Sequence, residues 1–328
     1  MEKDELVDIL LTTCNSNEKY LKEQINSLTS QTYRNIRIYI SDDASTKQSV
    51  LDILDDYQDK DDRIIVFKQK ENLGFNKNFE FLLKQSTANY IMFCDHDDIW
   101  YNTKVEKTLK KMLETKVSMV YCNARQVDES GNVLKDNYFK YKNVPQIRGK
   151  SKLAISRCIG IGCSQMITKK VKENMLPFKE NVIAHDWLAA FIANEQNGID
   201  YIPENLFDYR LHSNNVFGGR NLNQNLSRWK EQNGKGYESF KKYRKEVIDR
   251  AYLGGAKMCN EYAQEKEEKE FIQKLLKYYG KIKKSNVINI HIISYFRFLV
   301  GKNLLKKMIK EITIFHFPII AYVVYKIK

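Results

Sequence analysis

The chain has 328 residues, of which 43% are hydrophobic and 12% aromatic, so it can bury a sizeable core in one large domain or two of ordinary size. Its net charge is +13, yet residues 1–220 hold 31 basic and 31 acidic side chains, whereas residues 271–328 hold 12 basic side chains and one acid. The neutral first part counts against a nucleic-acid-binding protein, because such proteins gather positive charge on their binding face.

The cysteines and the first residues point to the cytoplasm. Six cysteines occur without a CxxC pair or regular spacing, so we expect reduced thiols and neither a zinc site nor a disulfide framework. The opening residues, MEKDELVDIL, are acidic and lack the basic-then-apolar order of a signal peptide. We therefore expect a protein that stays inside the cell.

The first half of the chain alternates between strand and helix patterns. Apolar runs predict strands at residues 7–15, 35–43, 63–69, 89–95 and 117–123, with a further core strand within 162–170. Apolar residues on one helical face predict helices over 17–32, 75–85 and 103–115. Strands separated by helices of ten or more residues indicate a mostly parallel α/β sheet that is covered on both faces.

Small and acidic residues follow the predicted strands. In such sheets ligands bind beyond the carboxyl ends of the strands, where several of these ends should converge. Each residue alone is typical of a turn or a helix cap, but four such ends on one edge favour a binding site. Carboxylates packed as closely as those at 95–98 repel one another, so a positive partner is expected there. The strand ends carry Thr12, Thr13, Cys14 and Asn15; Asp42 and Asp43; Asn72 and Gly74; and Asp95, Asp97 and Asp98.

Two common nucleotide-binding motifs are absent from the sequence, and one acidic motif is present. The sequence contains neither GxGxxG nor GxxxxGK[ST], which argues against a dinucleotide-binding fold and a P-loop nucleotidase. The pattern Asp95-His96-Asp97 follows an apolar strand. Alternating carboxylates on an extended loop can divide their work, one contacting a sugar hydroxyl and the next a divalent cation that bridges two phosphates.

With these motifs the sequence resembles the family 2 glycosyltransferases of the GT-A fold over roughly residues 5–220. The combination of DxDDIW, HDW and YRxHxxNxxG is similar to that of bacterial rhamnosyltransferases that build cell-wall and capsular polysaccharides. The resemblance implies a GT-A domain over residues 1–220, followed by a helical region over 221–328. The matching segments are TTCN, SDDAST, ENLGFNKNFE, CDHDDIW, HDW at 185–187 and YRLHSNNVFGG at 209–219.

The resemblance also implies an activity. It is the inverting transfer of a sugar from dTDP-rhamnose, or else a UDP-hexose, to a saccharide or lipid-linked saccharide, with Mn²⁺ or Mg²⁺ as cofactor. The implied contacts to the base and ribose are made by Thr12, Cys14, Asp43, Asn72, Gly74 and Asp95.

The implied residues of the diphosphate and acceptor side come from three motifs. Asp97 would bind the metal, and His212 would complete the metal site or touch the diphosphate, with Arg210 nearby. Asp186 would deprotonate the acceptor hydroxyl, and Trp187 beside it would stack on the acceptor sugar.

Structural roles are the alternatives for several of these residues. Asp186 opens an apolar helix and is also placed to be its N-cap, and Trp187 is also suited to the core. His212 is also compatible with a purely structural role, and His185 is expected to pack. Asp98 is expected either to cap the helix that begins near Asn102 or to tie down a loop.

Beyond residue 220 the composition changes. Helical stretches are predicted at 222–232 and 237–279, followed by two apolar runs, 287–300 and 312–325, that are too short for membrane spans. Their interspersed lysines favour interfacial helices on the anionic inner face of the cell membrane. A helical subdomain with a solvated basic face, or a contact between copies of the chain, are alternatives for this tail. A non-catalytic nucleotide- or RNA-binding protein is the alternative function.

Overall fold

The computed structural model describes residues 4–212, 242, 245, 246 and 248–284. These residues belong to two compact units. The first unit holds residues 4–154 and 158–212, and the second holds residues 155–157 with the described residues from 242 onward. The predicted boundary at 220/221, the helical stretch at 222–232 and the apolar runs of the tail lie outside the described residues.

The first unit is built on a nine-stranded sheet within the described residues. The strands are β1 (Val7–Thr13), β2 (Ile36–Asp42), β3 (Ile64–Lys68), β4 (Tyr90–Cys94), β5 (Ile99–Trp100), β6 (Met119–Val127), β7 (Val133–Lys135), β8 (Gln165–Thr168) and β9 (Ile199–Arg210). Their order is β3-β2-β1-β4-β8-β6-β9-β5, with β7 paired to β6. Strands β3, β2, β1 and β4 are mutually parallel, as are β6 and β9, whereas β8 runs antiparallel to β4 and β6.

Helices cover this sheet, and those predicted from the sequence are confirmed. The helices of the unit are α1 (Glu18–Thr29), α2 (Gln48–Lys60), α3 (Phe75–Gln85), α4 (Lys104–Thr115), α5 (Tyr138–Lys142), α6 (Leu153–Ser156), α7 (Lys169–Met175) and α8 (His185–Glu195). Helix α6 ends inside the short segment that belongs to the second unit.

The register of the parallel strands brings their carboxyl ends to one edge. Leu11 of β1 lies beside Cys94 of β4, and Thr13 lies beside Asp42 of β2. The centres of β1 and β4 are buried on both faces, which explains their unbroken apolar runs. The edge predicted from the sequence is therefore present, and the segments after β1, β2 and β4 all start there.

Helix α2 and strand β9 were not predicted. Only Val50, Ile53 and Leu54 of α2 are buried, so its apolar stripe is narrow among many acidic residues. Strand β9 contains Pro203 and two shifts of register against β6, which disturb the alternation expected of a strand.

The second unit is helical in its described part. A π-helix over Ile248–Leu253 leads into α9 (Gly254–Tyr262), and α10 spans Lys266–Lys284. The continuous helix predicted over 237–279 is wrong at Ala263, where the backbone becomes extended with φ −58° and ψ 133°. None of the helices in the described part of the chain has both the length and the hydrophobicity needed to cross a membrane.

Candidate active site

Four of the residues predicted to hold the nucleotide meet in one hydrogen-bonded network. The carboxylate of Asp43 accepts the backbone N–H groups of Leu73 at 2.7 Å and Gly74 at 2.9 Å. The carbonyl of Asp43 accepts from the side-chain amide of Asn72 at 3.1 Å and from the thiol of Cys14 at 3.3 Å. We call Cys14, Asp43, Asn72 and Gly74 the strand-end cluster.

The local backbone explains why these residue types occur here. Gly74 precedes α3 with a φ of +78°, a conformation that glycine adopts without the strain a side chain would add. Burial, together with the charges of Asp43 and Asp42, raises the pKa of the Cys14 thiol, so at neutral pH it is protonated and can donate. Thr12 lies one strand position from the end of β1 and is partly exposed.

The residues predicted to bind metal also meet. In the acidic loop, residues 95–98, a carboxylate oxygen of Asp97 lies 2.7 Å from Nε2 of His212. Burial opposes ionisation of Asp97, but the hydrogen bond with His212 and the nearby His96 bring its pKa below the ordinary value. The sequence motifs at 95–98 and 209–212, more than a hundred residues apart, thus form one site.

The remaining carboxylates crowd the same place. Burial, together with the charges of Asp97 and Asp186, raises the pKa of Asp95 to about 7. Burial, then the charges of Asp97 and Asp95, raise the pKa of Asp98 well above its usual range. Because their charges act on one another at this range, Asp186 of α8 belongs to the same site as the acidic loop.

Asp98 fastens the acidic loop to β9. Its Oδ1 accepts the backbone N–H of Arg210 at 3.2 Å, which confirms the expected role in tying down a loop. The alternative role as a helix cap is wrong, because α4 begins at Lys104 after Thr103 and has no side-chain cap. Within the described part of the chain no N–H or O–H group donates to Asp98 Oδ2, whose neighbour is the thiol of Cys163.

A buried lysine lies beneath this cluster and was not predicted from the sequence. Lys104 is fully buried and donates from Nζ to the carbonyl of Cys163 at 2.6 Å. The ammonium nitrogen also lies 3.5 Å from the ring centroid of Trp100 and 4.0 Å from that of Phe207. Its positive charge opposes the upward pKa shifts of the two carboxyl groups Asp95 and Asp98.

The start of α8 places the predicted base. The N-cap of this helix is Ala184, so the alternative role of Asp186 as N-cap is wrong. Asp186 lies in the first turn and accepts the backbone N–H of Trp187 at 2.8 Å. The ring of Trp187 is 6% exposed and its indole N–H donates to Ala154, so the prediction that it stacks on an acceptor sugar is wrong.

His185 packs, as expected. Its ring stacks on Phe79 with centroids 3.9 Å apart and meets Phe93 edge-on at 4.8 Å. Burial lowers its pKa to about 4, and neither ring nitrogen has a hydrogen-bond partner among the residues that the structure describes. A Cβ on Gly162 would lie 3.1 Å from His185 Nε2 and 3.4 Å from Cβ of Asp186, so this glycine lets the chain pass close to both residues.

Arg210 takes a different role from the one that the resemblance implied. Its side chain is almost fully buried, and its guanidinium donates to the carbonyls of Asp97 at 3.0 Å and Glu129 at 3.1 Å and to the carboxylate of Glu23 at 2.5 Å. The placement beside the diphosphate is therefore corrected: the guanidinium faces the protein and holds the acidic loop.

The donor set fits a hard divalent cation. Three carboxylates and the imidazole of His212 supply the oxygen and nitrogen ligands that Mn²⁺ accepts, and the carboxylates alone suit Mg²⁺. Burial raises the pKa of the Cys163 thiol, so this softer group is neutral and a poor ligand for such ions. A dication would also relieve the repulsion that raises the pKa values of Asp95 and Asp98.

A mostly parallel sheet with helices on its faces, and an acidic loop at the carboxyl end of a central strand, define a GT-A glycosyltransferase. The chain belongs to glycosyltransferase family 2: the model of the family described as "Glycosyl transferase family 2" matches residues 8–176, just over half of the chain. The protein is thus an enzyme that transfers a sugar.

Relatives and solved structures agree with this class. The chain is 30% identical over 228 residues to the uncharacterized glycosyltransferase MJ1057 of Methanocaldococcus jannaschii, covering 67% of this chain and 76% of the relative. It is 29% identical over 255 residues to the dTDP-rhamnosyl transferase RfbG of Shigella flexneri, covering 70% and 80%. Its fold is similar to that of a mannosyltransferase from Pyrobaculum calidifontis in complex with GDP-Man and Mn²⁺, with a TM-score of 0.58 and 12% identity over 98% and 85% of the two chains.

Proposed function

We propose that this glycosyltransferase is an inverting, metal-dependent enzyme that moves a sugar from a nucleotide diphosphate to a saccharide or a lipid-linked saccharide. The observation that carries the proposal is the acidic loop, in which three carboxylates lie together with His212 and with Asp186 in electrostatic range. Such an arrangement suits a dication on one side of a reacting sugar and a base on the other.

The strand-end cluster is the proposed site for the base and ribose, with Thr12 beside it. The Asp43 carboxylate uses its hydrogen bonds to Leu73 and Gly74 to hold the turn, and its remaining lone pairs can accept from a base. The favoured donor is dTDP-rhamnose, supported by the likeness to RfbG, and a UDP-hexose is the second candidate. Polysaccharide synthesis for the cell wall or capsule is the proposed context.

Asp97 and His212 are the proposed metal ligands, and Asp95 is placed to contact the ribose. When bound, a dication neutralises the negative charge that develops on the leaving diphosphate. The hydrogen bond between Asp97 and His212 orients both side chains and keeps the carboxylate ionised.

Asp186 is the proposed general base for the acceptor hydroxyl. Its position in the first turn of α8 stabilises a charged carboxylate, because the helix dipole is positive there. The backbone N–H of Trp187 donates to Oδ1 of Asp186 at 2.8 Å and so orients the carboxylate. A base fixed in this way can take the proton as the acceptor oxygen attacks the sugar.

The location of the enzyme follows from its proposed acceptor. A lipid-linked saccharide lies at the cytoplasmic face of the cell membrane, and the basic tail over 285–328 is proposed to rest on that anionic surface.

The rival proposal, a non-catalytic nucleotide- or RNA-binding protein, predicts salt-sensitive binding of oligonucleotides instead. The charge balance of residues 1–220 disfavours it.

The metal site is tested by calorimetric titration of dTDP and UDP into the full chain with and without Mn²⁺. Asp97→Ala and His212→Ala should each weaken the metal-dependent binding at least tenfold, because loss of a ligand removes an anionic or imidazole contact. Asp56→Ala, which alters only an exposed ion pair with Lys60, is the matched control. Metal-dependent binding that is unchanged in both site variants would remove the proposed site.

A further inference from the structure

Helix α1 and the residues that follow it hold the chain on both sides of the acidic loop through a stripe of buried polar residues, which we call the polar stripe of α1. Gln24 and Ser27 of α1 and Gln31, two residues beyond the end of the helix, are all buried. Because buried polar groups need partners, these side chains fix the segments that they contact. Gln24 donates to Cys94 Sγ at 2.9 Å, Ser27 Oγ accepts from the Trp100 N–H at 3.0 Å, and Gln31 donates to the Tyr101 carbonyl and accepts from the Val105 N–H, both at 3.0 Å.

The first turns of the same helix contact the end of β9. The ring of Tyr20 lies 4.3 Å from the guanidinium carbon of Arg210 and 5.6 Å from the ring centroid of His212. One turn further, the Glu23 carboxylate lies 2.5 Å from Nη2 of Arg210. The start of α1 is fixed by Asn17, whose side chain accepts two backbone N–H groups of the first turn.

The pair of Glu23 and Arg210 joins this helix to the acidic loop. The Arg210 side chain is about 2% exposed, so its charge needs a carboxylate to offset the loss of hydration. The same guanidinium donates from Nε to the carbonyl of Asp97 at 3.0 Å. Glu23 thus orients the group that fixes the backbone of Asp97, although Glu23 itself lies outside the acidic loop.

We propose that Glu23 is a positioning residue of the metal site. Through Arg210 it fixes the carbonyl of Asp97, and thereby sets the Asp97 carboxylate against His212. This inference rests on the proposed assignment of the metal to Asp97 and His212. Side chains that orient metal ligands affect affinity without touching the ion, so the effect of Glu23 should be visible in metal binding itself.

The first test is the dissociation constant of Mn²⁺ for the full chain, followed by the paramagnetic resonance signal of the free ion. Glu23→Gln keeps the shape of the side chain but removes the charge that pairs with Arg210, and it should weaken Mn²⁺ binding by about tenfold. Glu114→Gln removes an exposed carboxylate beside Lys110 on α4 and should leave the affinity unchanged. Wild-type affinity in Glu23→Gln would overturn the inference.

A second variant separates positioning from stability. Glu23→Gln removes the carboxylate that pairs with the buried Arg210 and should lower the melting temperature measured in EDTA. Glu23→Gln combined with Arg210→Met removes both charges and should restore at least part of that temperature, while Mn²⁺ affinity stays low because the contact to the Asp97 carbonyl is gone. A merely structural role predicts that affinity returns together with stability, and that result would refute the inference.

The same measurements distinguish this inference from the proposed function. If Asp97→Ala and His212→Ala bind Mn²⁺ as the wild type does, the metal assignment fails, and the role of Glu23 fails with it. If those variants lose Mn²⁺ binding while the double variant retains it, the metal assignment stands and only the positioning role is refuted.

Discussion

The strand-end cluster and the acidic loop lie at the same edge of the sheet but differ in their electrostatics. In the strand-end cluster the carboxylate of Asp43 is matched by two backbone N–H groups, and Asn72 and Cys14 both donate to its carbonyl. In the acidic loop, burial and the neighbouring carboxylates raise the pKa values of Asp95 and Asp98, and Asp98 Oδ2 accepts no N–H or O–H group in the described part of the chain.

The difference indicates which half of the site is complete before ligands arrive. A charge that is matched by fixed N–H groups holds its geometry without a ligand, so the strand-end cluster is preorganised for the nucleobase that we propose it binds. Charges that repel one another store unfavourable energy that a cation releases on binding. We therefore expect substitutions in the first region to affect stability and donor affinity, and those in the second to affect metal binding and turnover.

Asp186→Asn should give the largest effect and separates chemistry from binding. Asparagine keeps the shape of the side chain but cannot take a proton, so the transfer rate should fall by a factor on the order of 10² to 10⁴. Donor affinity and melting temperature should barely change, because Asp186 does not cap α8. The measurement is turnover of whichever donor the wild type uses among dTDP-rhamnose and the UDP-hexoses.

Normal turnover by Asp186→Asn would assign the base to another group. A fall in turnover accompanied by an equal fall in donor affinity would instead place Asp186 with the donor-binding residues.

Asp43→Asn should disrupt the strand-end cluster, in which the carboxylate is matched by backbone N–H groups. The amide has one acceptor oxygen, so it cannot match both the Leu73 and the Gly74 N–H groups, and one of them is left facing an amide nitrogen. Loss of a charge-assisted hydrogen bond should cost about 2–3 kcal/mol of stability and weaken nucleotide binding. Urea unfolding and dTDP titration measure the two effects, with the exposed Asp59→Asn as control. Loss of stability without loss of dTDP affinity would limit Asp43 to a structural role.

The dependence of stability on pH that His185 causes should be a smaller effect. It tests how deeply the residue next to Asp186 is buried. The pKa of His185 is about 4 in the folded protein and about 6.5 in an unfolded chain, so the unfolded state binds the proton first as the pH falls. Stability is therefore fully present above about pH 6.5 and should decline by about 2 kcal/mol between pH 7.5 and pH 5.

His185→Gln removes this titration and is the matched comparison. Urea unfolding midpoints measured at pH 7.5 and pH 5 should converge in the variant more than in the wild type. Equal acid sensitivity of the two proteins would show that other groups cause it.

Much of the fold and half of the site could be predicted, because they depend on local patterns. Apolar runs and helical periodicity gave the strands and helices of the first half, and strand ends gave Asp43, Asp95 and Asp97. Helix α2 was not predicted because only three of its residues are buried. Strand β9 was not predicted because proline and register shifts disturb its alternation of apolar and polar residues.

The roles that could not be predicted depend on partners far away in the chain. Arg210 was expected at the diphosphate, but its ion pair with Glu23 joins residues 187 positions apart, and no local signal shows it. Trp187 was expected at the acceptor. The neighbouring residues in the sequence do not indicate that its indole N–H donates to the carbonyl of Ala154. One pattern in the sequence could have indicated these distant contacts. Polar groups recur among the buried apolar residues in and just after α1, at Tyr20, Gln24, Ser27 and Gln31.

The polar stripe of α1 has a consequence for how the protein folds. Its hydrogen bonds to the segment around the acidic loop join residues 70 to 74 positions apart, so they form only after a large loop of chain has closed. The parallel pairing of β1 with β4 closes a loop of similar length, so the acidic loop depends on contacts that are distant in sequence and should take shape late. In the unfolded chain and in early intermediates the loop remains solvated, so water weakens the repulsion between its carboxylates. Catalytic competence and the last long-range contacts of the sheet should therefore be acquired in the same kinetic step of refolding.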